Sequence, residues 1–202
     1  MIRNLAADVR AFTSNAFLVV GDRTVLVDAG ANFSIVPRIR EEFERAGGAD
    51  GTPGLDAVVL THTHPDHVGN VDAVREAFGV ETWGFDPDQP ATDNRIADGE
   101  TVRLGDHDYV ALHTPGHKND HLCLFARDPG VLFAGDLVFQ NGGFGRTDLE
   151  EGDRETLIDS IDRLRDVVGD DVSEMYVGHG PSVTSDPAGD IELARRAASM
   201  GR

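Results

Sequence analysis

The chain has 202 residues, enough for one domain that buries a sizeable core, and a single domain over residues 1–202 is the expectation. Its 36 acidic side chains against 18 basic ones give a formal net charge of -18, which excludes nucleic acid as a natural partner: a polyanion is repelled, and the largest basic patch is Arg195-Arg196. A lone cysteine, Cys123, excludes an intramolecular disulfide, and no apolar run reaches the ~20 residues of a membrane span or the core of a signal peptide.

Lys118 is the only lysine. An acidic, lysine-poor chain is expected of a salt-adapted cytoplasmic protein, because carboxylates hold water when salt competes for it and salt screens their repulsion.

The first third alternates strands and turns. Residues 16–20 and 24–27 read as a hairpin around Gly21-Asp22-Arg23, and Asp28-Ala29-Gly30 follows its second strand. Ser34 is placed to cap a helix through Ile35, Ile39 and Phe43, which Gly47-Gly48 ends. The apolar run 55–60 reads as a buried strand. Directly after it comes Thr61-His62-Thr63-His64-Pro65-Asp66-His67, with three imidazoles and a carboxylate between His62 and His67. These are the ligand types of zinc, iron and manganese, placed on a loop at a strand's C-terminal end. His62 and His64 are two apart, so an extended backbone points them the same way, and Pro65 turns the chain before Asp66 and His67. The loop alone leaves one metal or two open, with Asp66 as ligand, base or orienting group.

A helix over residues 70–78, with Asn70 as cap, and an Asp/Pro-rich loop over 84–101 follow. Three further ligand-type residues then close strand-like runs, each after a small residue: His117 in Thr114-Pro115-Gly116-His117, Asp136 at the end of 131–136, and His179 in Val177-Gly178-His179. Asn141 to Gly145 is glycine-rich and reads as a mobile flap. Residues 156–168 form a helix with Leu157, Ile161, Leu164 and Val168 on one face, and a last helix spans 191–200.

The order His-x-His-x-Asp-His, His, Asp, His resembles the metallo-β-lactamase fold superfamily from about Asn15 to His179. The resemblance implies an α+β fold: a four-layer αββα sandwich with mixed β-sheets. It implies that His62, His64 and His117 hold one metal, that Asp66, His67 and His179 hold a second, and that Asp136 bridges them. The commonest zinc β-lactamases carry Cys at the bridging position and lack His67, so the resemblance points to the hydrolase branches. Gly145-Arg146-Thr147-Asp148 is similar to a motif of short glyoxalase II-like proteins, shared with persulfide dioxygenases. Only 23 residues follow His179, too few for the helical extension with which glyoxalase II holds glutathione, so thiol recognition is not expected by that route.

In this frame Asp28 is the candidate acceptor for the second N–H of a ligating histidine, against a plain turn-capping role. Arg146 binds a substrate carboxylate or orients Asp148. His113 and His121 are expected to be structural, His107 a solvated turn residue and Cys123 a core thiol. The expected cofactor is two divalent ions, zinc first, with iron or manganese as alternatives. They would generate hydroxide at neutral pH, with Asp66 orienting the nucleophile. The expected substrate is a small-molecule thioester or other acyl compound, hydrolysed in glyoxalase II fashion. The competing readings are a mononuclear iron persulfide dioxygenase using His62, His117 and Asp136, a lactonase or other ester hydrolase, and an inactive metal-binding scaffold.

Overall fold

Ala16 to Val27 folds where alternating apolar runs and a polar turn dictate. β2 (Phe17–Val19) and β3 (Val25–Val27) pair antiparallel, and β1 (Ile2–Asn4) adds to the free side of β2. The computed structural model describes residues 1–45 and 54–200; the expected Gly47-Gly48 helix stop lies outside the described residues. The described chain forms two compact units, Met1–Arg95 with Arg103–Asp106, and Ile96–Val102 with His107–Arg202.

In the first unit, α1 (Ile35–Arg45) connects β3 to β4 (Ala57–Val59), which lies parallel to it. A parallel pair needs such a crossover, and Ile35, Ile39 and Phe43 bury the helix in the same core as Leu26, Val58 and Leu60. The short α2 (Pro65–Val68) and α3 (Val71–Phe78) lead to β5 (Thr82–Gly84) and β6 (Asn94–Arg95), both parallel additions, giving the order β1-β2-β3-β4-β5-β6. The register pairs Val27 with Val59, and Asp28 N–H donates to the Val59 carbonyl at 2.9 Å. That places Asp28 beside the loop leaving β4. Asn70 does not cap α3 with its side chain; its amide donates to the Ala29 carbonyl at 2.9 Å and ties the helix start to the loop after β3. Part of the expected loop over 84–101 is β6, a two-residue strand that only its pairing with β5 reveals.

The second unit carries β7 (Thr101–Leu104), β8 (His107–His113), β9 (Leu122–Ala126), β10 (Val131–Gly135), β11 (Val138–Phe139), β12 (Gly143–Phe144), α4 (Arg154–Val168), β13 (Glu174–Val177) and α5 (Pro187–Ser199). The main sheet runs β13-β10-β9-β8-β7, with β8–β9 and β9–β10 antiparallel and β10–β13 parallel through α4. Every residue of β9 and β10 is buried. Leu157, Ile161, Leu164 and Val168 of α4 and Ile191 and Ala194 of α5 join Phe125, Leu132 and Met175 in one core. Asp153 caps α4, accepting from Thr156 N–H at 2.7 Å. α5 starts four residues before the expected Ile191 because Asp186 caps it and Pro187 fits its first turn.

His107 stands in β8, exposed, not in a turn. The segment read as a flap is the β11–β12 hairpin, held against α5 by Asn141 N–H donating to Asp190 at 2.9 Å; a Cβ on Gly142 would meet Leu193 Cβ at 2.9 Å. The fold is thus mixed α/β with mixed sheets, each unit carrying its own helices. Among the described residues no helix is long and apolar enough to cross a membrane.

Candidate metal centre

In the first unit the loop leaving β4 gathers four of the expected ligands. His62 and His67 are buried and His64 and Asp66 half-buried, with Asp66 and His67 in the single turn of α2 that Pro65 opens. His62 Nε2 and His64 Nδ1 stand 3.0 Å apart, and the His62 and His67 rings lie with centroids 3.9 Å apart.

Asp28 organises this loop from below. Only 3% exposed, it accepts from Thr61 N–H at 2.8 Å, from the Thr61 hydroxyl at 2.7 Å and from His67 Nδ1 at 2.8 Å. Thr61 Oγ1 also lies 3.2 Å from His62 Nδ1. Because the hydroxyl gives its only proton to Asp28, it accepts from His62. Both histidines therefore carry their proton on Nδ1 and present an Nε2 lone pair. Asp28 holds φ +56°, a left-handed conformation disfavoured for a residue with a Cβ, and the three hydrogen bonds hold it there.

In the second unit His117, Asp136 and His179 come together from three strand ends. Asp136 Oδ2 lies 3.4 Å from His117 Nε2 and 3.5 Å from His179 Nε2, so one carboxylate oxygen serves two imidazoles. Two ligands ~2.0–2.1 Å from a tetrahedral ion are about 3.3–3.4 Å apart, so the spacing suits coordination better than hydrogen bonding. His117 Nδ1 donates to the Arg146 carbonyl at 2.8 Å, which again leaves Nε2 as the lone-pair nitrogen. His121 is structural, as expected: its Nε2 accepts from Asp136 N–H at 2.9 Å and its Nδ1 donates to Thr114 Oγ1 at 2.8 Å. Gly145 is where two loops cross, since a Cβ there would sit 2.0 Å from the Asp136 carbonyl and 3.0 Å from His117 Cβ.

Arg146 is exposed and its Nε and Nη2 donate to both oxygens of Asp148 at 2.8 and 2.9 Å. The guanidinium beside Asp148 pulls that carboxyl down to about 2. His113 Nε2 donates to the Asn119 carbonyl at 2.7 Å, the structural role expected of it. Burial pushes the Cys123 thiol up to about 12, as befits a core thiol. Sequence reasoning missed Thr61, Thr114 and the Arg146 carbonyl. The one available signal was a threonine directly before the first histidine and another three residues before His117.

The chain matches the family model of the Metallo-beta-lactamase superfamily over residues 9–179. It belongs to that superfamily. Hydroxyacylglutathione hydrolase GloC of Haemophilus influenzae is 32% identical over 200 residues, covering 87% of this chain and 90% of the relative. Among solved structures of the superfamily's fold, BLEG-1 B3 metallo-beta-lactamase superposes with a TM-score of 0.73 at 26% identity, covering 94% of this chain and 95% of that one. TTHA1623 in a di-iron-bound form superposes with a TM-score of 0.68 at 27% identity, over 91% and 92%. The mixed sheets are thus those of the metallo-β-lactamase fold. The chain's His/Asp cluster fits a metal by chemistry as well: nitrogen and carboxylate donors with tautomers fixed from outside are the donor set of divalent zinc, iron and manganese.

Proposed function

We propose that the protein is a metal-dependent thioesterase of the glyoxalase II type, acting on an S-acyl derivative of a small thiol. His62, His64 and His117 would hold one divalent ion, Asp66, His67 and His179 a second, with Asp136 shared; zinc is the first choice of metal. The observation that carries the reading is Asp136 Oδ2, set 3.4 and 3.5 Å from two imidazoles whose ions it would join. The GloC likeness supports the substrate class, and the di-iron form of TTHA1623 supports two ions.

Ions at these positions supply hydroxide near neutral pH and polarise the acyl carbonyl. The chain's own residues prepare the site. Asp28 and Thr61 keep Nδ1 of His62 and His67 protonated, and the Arg146 carbonyl does the same for His117. His121 fixes the backbone of Asp136. Asp66 orients the nucleophile. A thioester suits such a site because a thiolate leaves with little need of a proton donor. Arg146, already paired with Asp148, offers its remaining N–H groups to the substrate.

The test is elemental analysis of protein purified in high salt without chelator or added metal, followed by thiol release from a panel of S-acyl thiols. Two equivalents of metal and thiol release that dialysis against chelator abolishes are the expected results. One equivalent of iron with oxygen consumption on a persulfide would replace this reading by the dioxygenase. Metal-dependent turnover of lactones alone would replace it by the esterase.

A further inference from the structure

Lys118 is the chain's only lysine, and it is 6% exposed. Everywhere else this sequence uses arginine for positive charge, on the surface and in exposed pairs. A buried lysine in such a chain marks a place where a compact ammonium is needed and a planar guanidinium does not serve. Lys118 Nζ donates to both oxygens of Glu151, at 3.0 and 3.2 Å, and lies 3.6 Å from Asp120 Oδ1. Glu151 Oε2 also accepts from Asn119 N–H at 3.1 Å.

Glu151 is itself in an unfavourable conformation, with φ +69°. A glycine there would carry no Cβ penalty, and one follows directly as Gly152. The side chain therefore offsets the conformation, and what it does is grip the residues just past His117. Two more bonds join the same loops: Asp153 N–H donates to the Gly116 carbonyl at 2.8 Å, and His117 Nδ1 to the Arg146 carbonyl at 2.8 Å. The first part of the His117 loop is pinned separately by α4, where Ser160 Oγ donates to the Pro115 carbonyl at 2.7 Å.

We infer that the Lys118–Glu151 ion pair is a clamp that positions His117 for its ion, by locking the loop 116–121 to the loop 145–153. Both are positioning residues; neither reaches the reacting atoms. The inference rests on the ligand set of the proposed function. The ammonium is buried and the Glu151 carboxylate partly exposed, so salt screens this pair less than the chain's pairs that are exposed at both ends.

The test uses Lys118→Met, Glu151→Gln and Glu151→Gly in the full chain, with two readouts. The first is amide hydrogen exchange in metal-free protein. Exchange at 116–121 is expected to rise about tenfold or more in all three variants, including the glycine variant that relieves the backbone. The second is stepwise removal of zinc by a competing chelator. One equivalent is expected to weaken about 10- to 100-fold while the other keeps its wild-type affinity. Wild-type exchange in the variants, or equal weakening of both equivalents, overturns the clamp. A wild-type protein that binds no zinc sinks the dinuclear reading, and the exchange experiment still decides whether the clamp exists. Glu151→Gln, which is isosteric, serves if Lys118→Met does not fold.

Discussion

Replacing Asp28 by asparagine should leave the fold in place and reverse two imidazoles. The side chain is nearly isosteric, but only its oxygen can face Thr61 N–H, now 2.8 Å from Oδ1, because a backbone N–H cannot accept. The new NH2 then lies where Oδ2 receives the Thr61 hydroxyl and His67 Nδ1, at 2.7 and 2.8 Å. It donates to both. His67 Nδ1 becomes an acceptor, its proton moves to Nε2, and that nitrogen no longer has a lone pair to offer. The Thr61 hydroxyl, now accepting, turns its hydrogen to His62 Nδ1 with the same result. Three charge-assisted hydrogen bonds become neutral, at a stability cost of about 1–3 kcal/mol. For a chain of this size that is a fall of roughly 2–4 °C in Tm per kcal/mol. Metal affinity should fall about 10- to 100-fold, or roughly 1.4–2.8 kcal/mol. Chelator competition measures the affinity and a melt of the metal-free protein measures the stability cost. An Asp28→Asn variant with unchanged affinity for both equivalents would refute the tautomer argument.

Other outcomes follow from the same geometry. Gly145→Ala forces a methyl to within 2.0 Å of the Asp136 carbonyl, so one loop must move; a cost of about 3 kcal/mol and loss of at least one metal equivalent are expected by melt and elemental analysis. Cys123 is fully buried with its thiol raised to about 12, so iodoacetamide at about pH 8, near the ordinary thiol pKa, should leave the folded protein unmodified and label it stoichiometrically in denaturant, as read by mass spectrometry. His121→Phe puts a larger ring into a fully buried site and removes the acceptor of Asp136 N–H, so a destabilisation of about 1–3 kcal/mol with weakened metal binding is expected by the same two assays.

The sequence was most legible where burial dictates the pattern. β4 and β10 are unbroken apolar runs, and α1 and α4 show helical spacing, so each stands close to its expected place. β1, β6, β11 and β12 have two or three residues each, and a strand so short is defined by its partner. The hairpin 138–144 looks like a free flap because glycine signals permissive backbone, while the residues that hold it, Asp190 and Leu193, are some fifty positions away. The ligand types were readable because their chemistry is in the side chain. Their supports were not: Thr61 meets Asp28 across 33 residues through strand register, and the acceptor of His117 is a backbone carbonyl, which no residue identity announces.

The parallel seam between β10 and β13 also bears on how the chain is made. β10 is apolar and buried along its whole length, yet the strand that covers one of its edges is not synthesised until residues 174–177, after the whole of α4. On the ribosome this edge waits, with unpaired amide and carbonyl groups on a sticky template. A polypeptide cut short before β13 would therefore be expected to self-associate, and the one that reaches Val177 closes the edge and delivers His179 in the same motion.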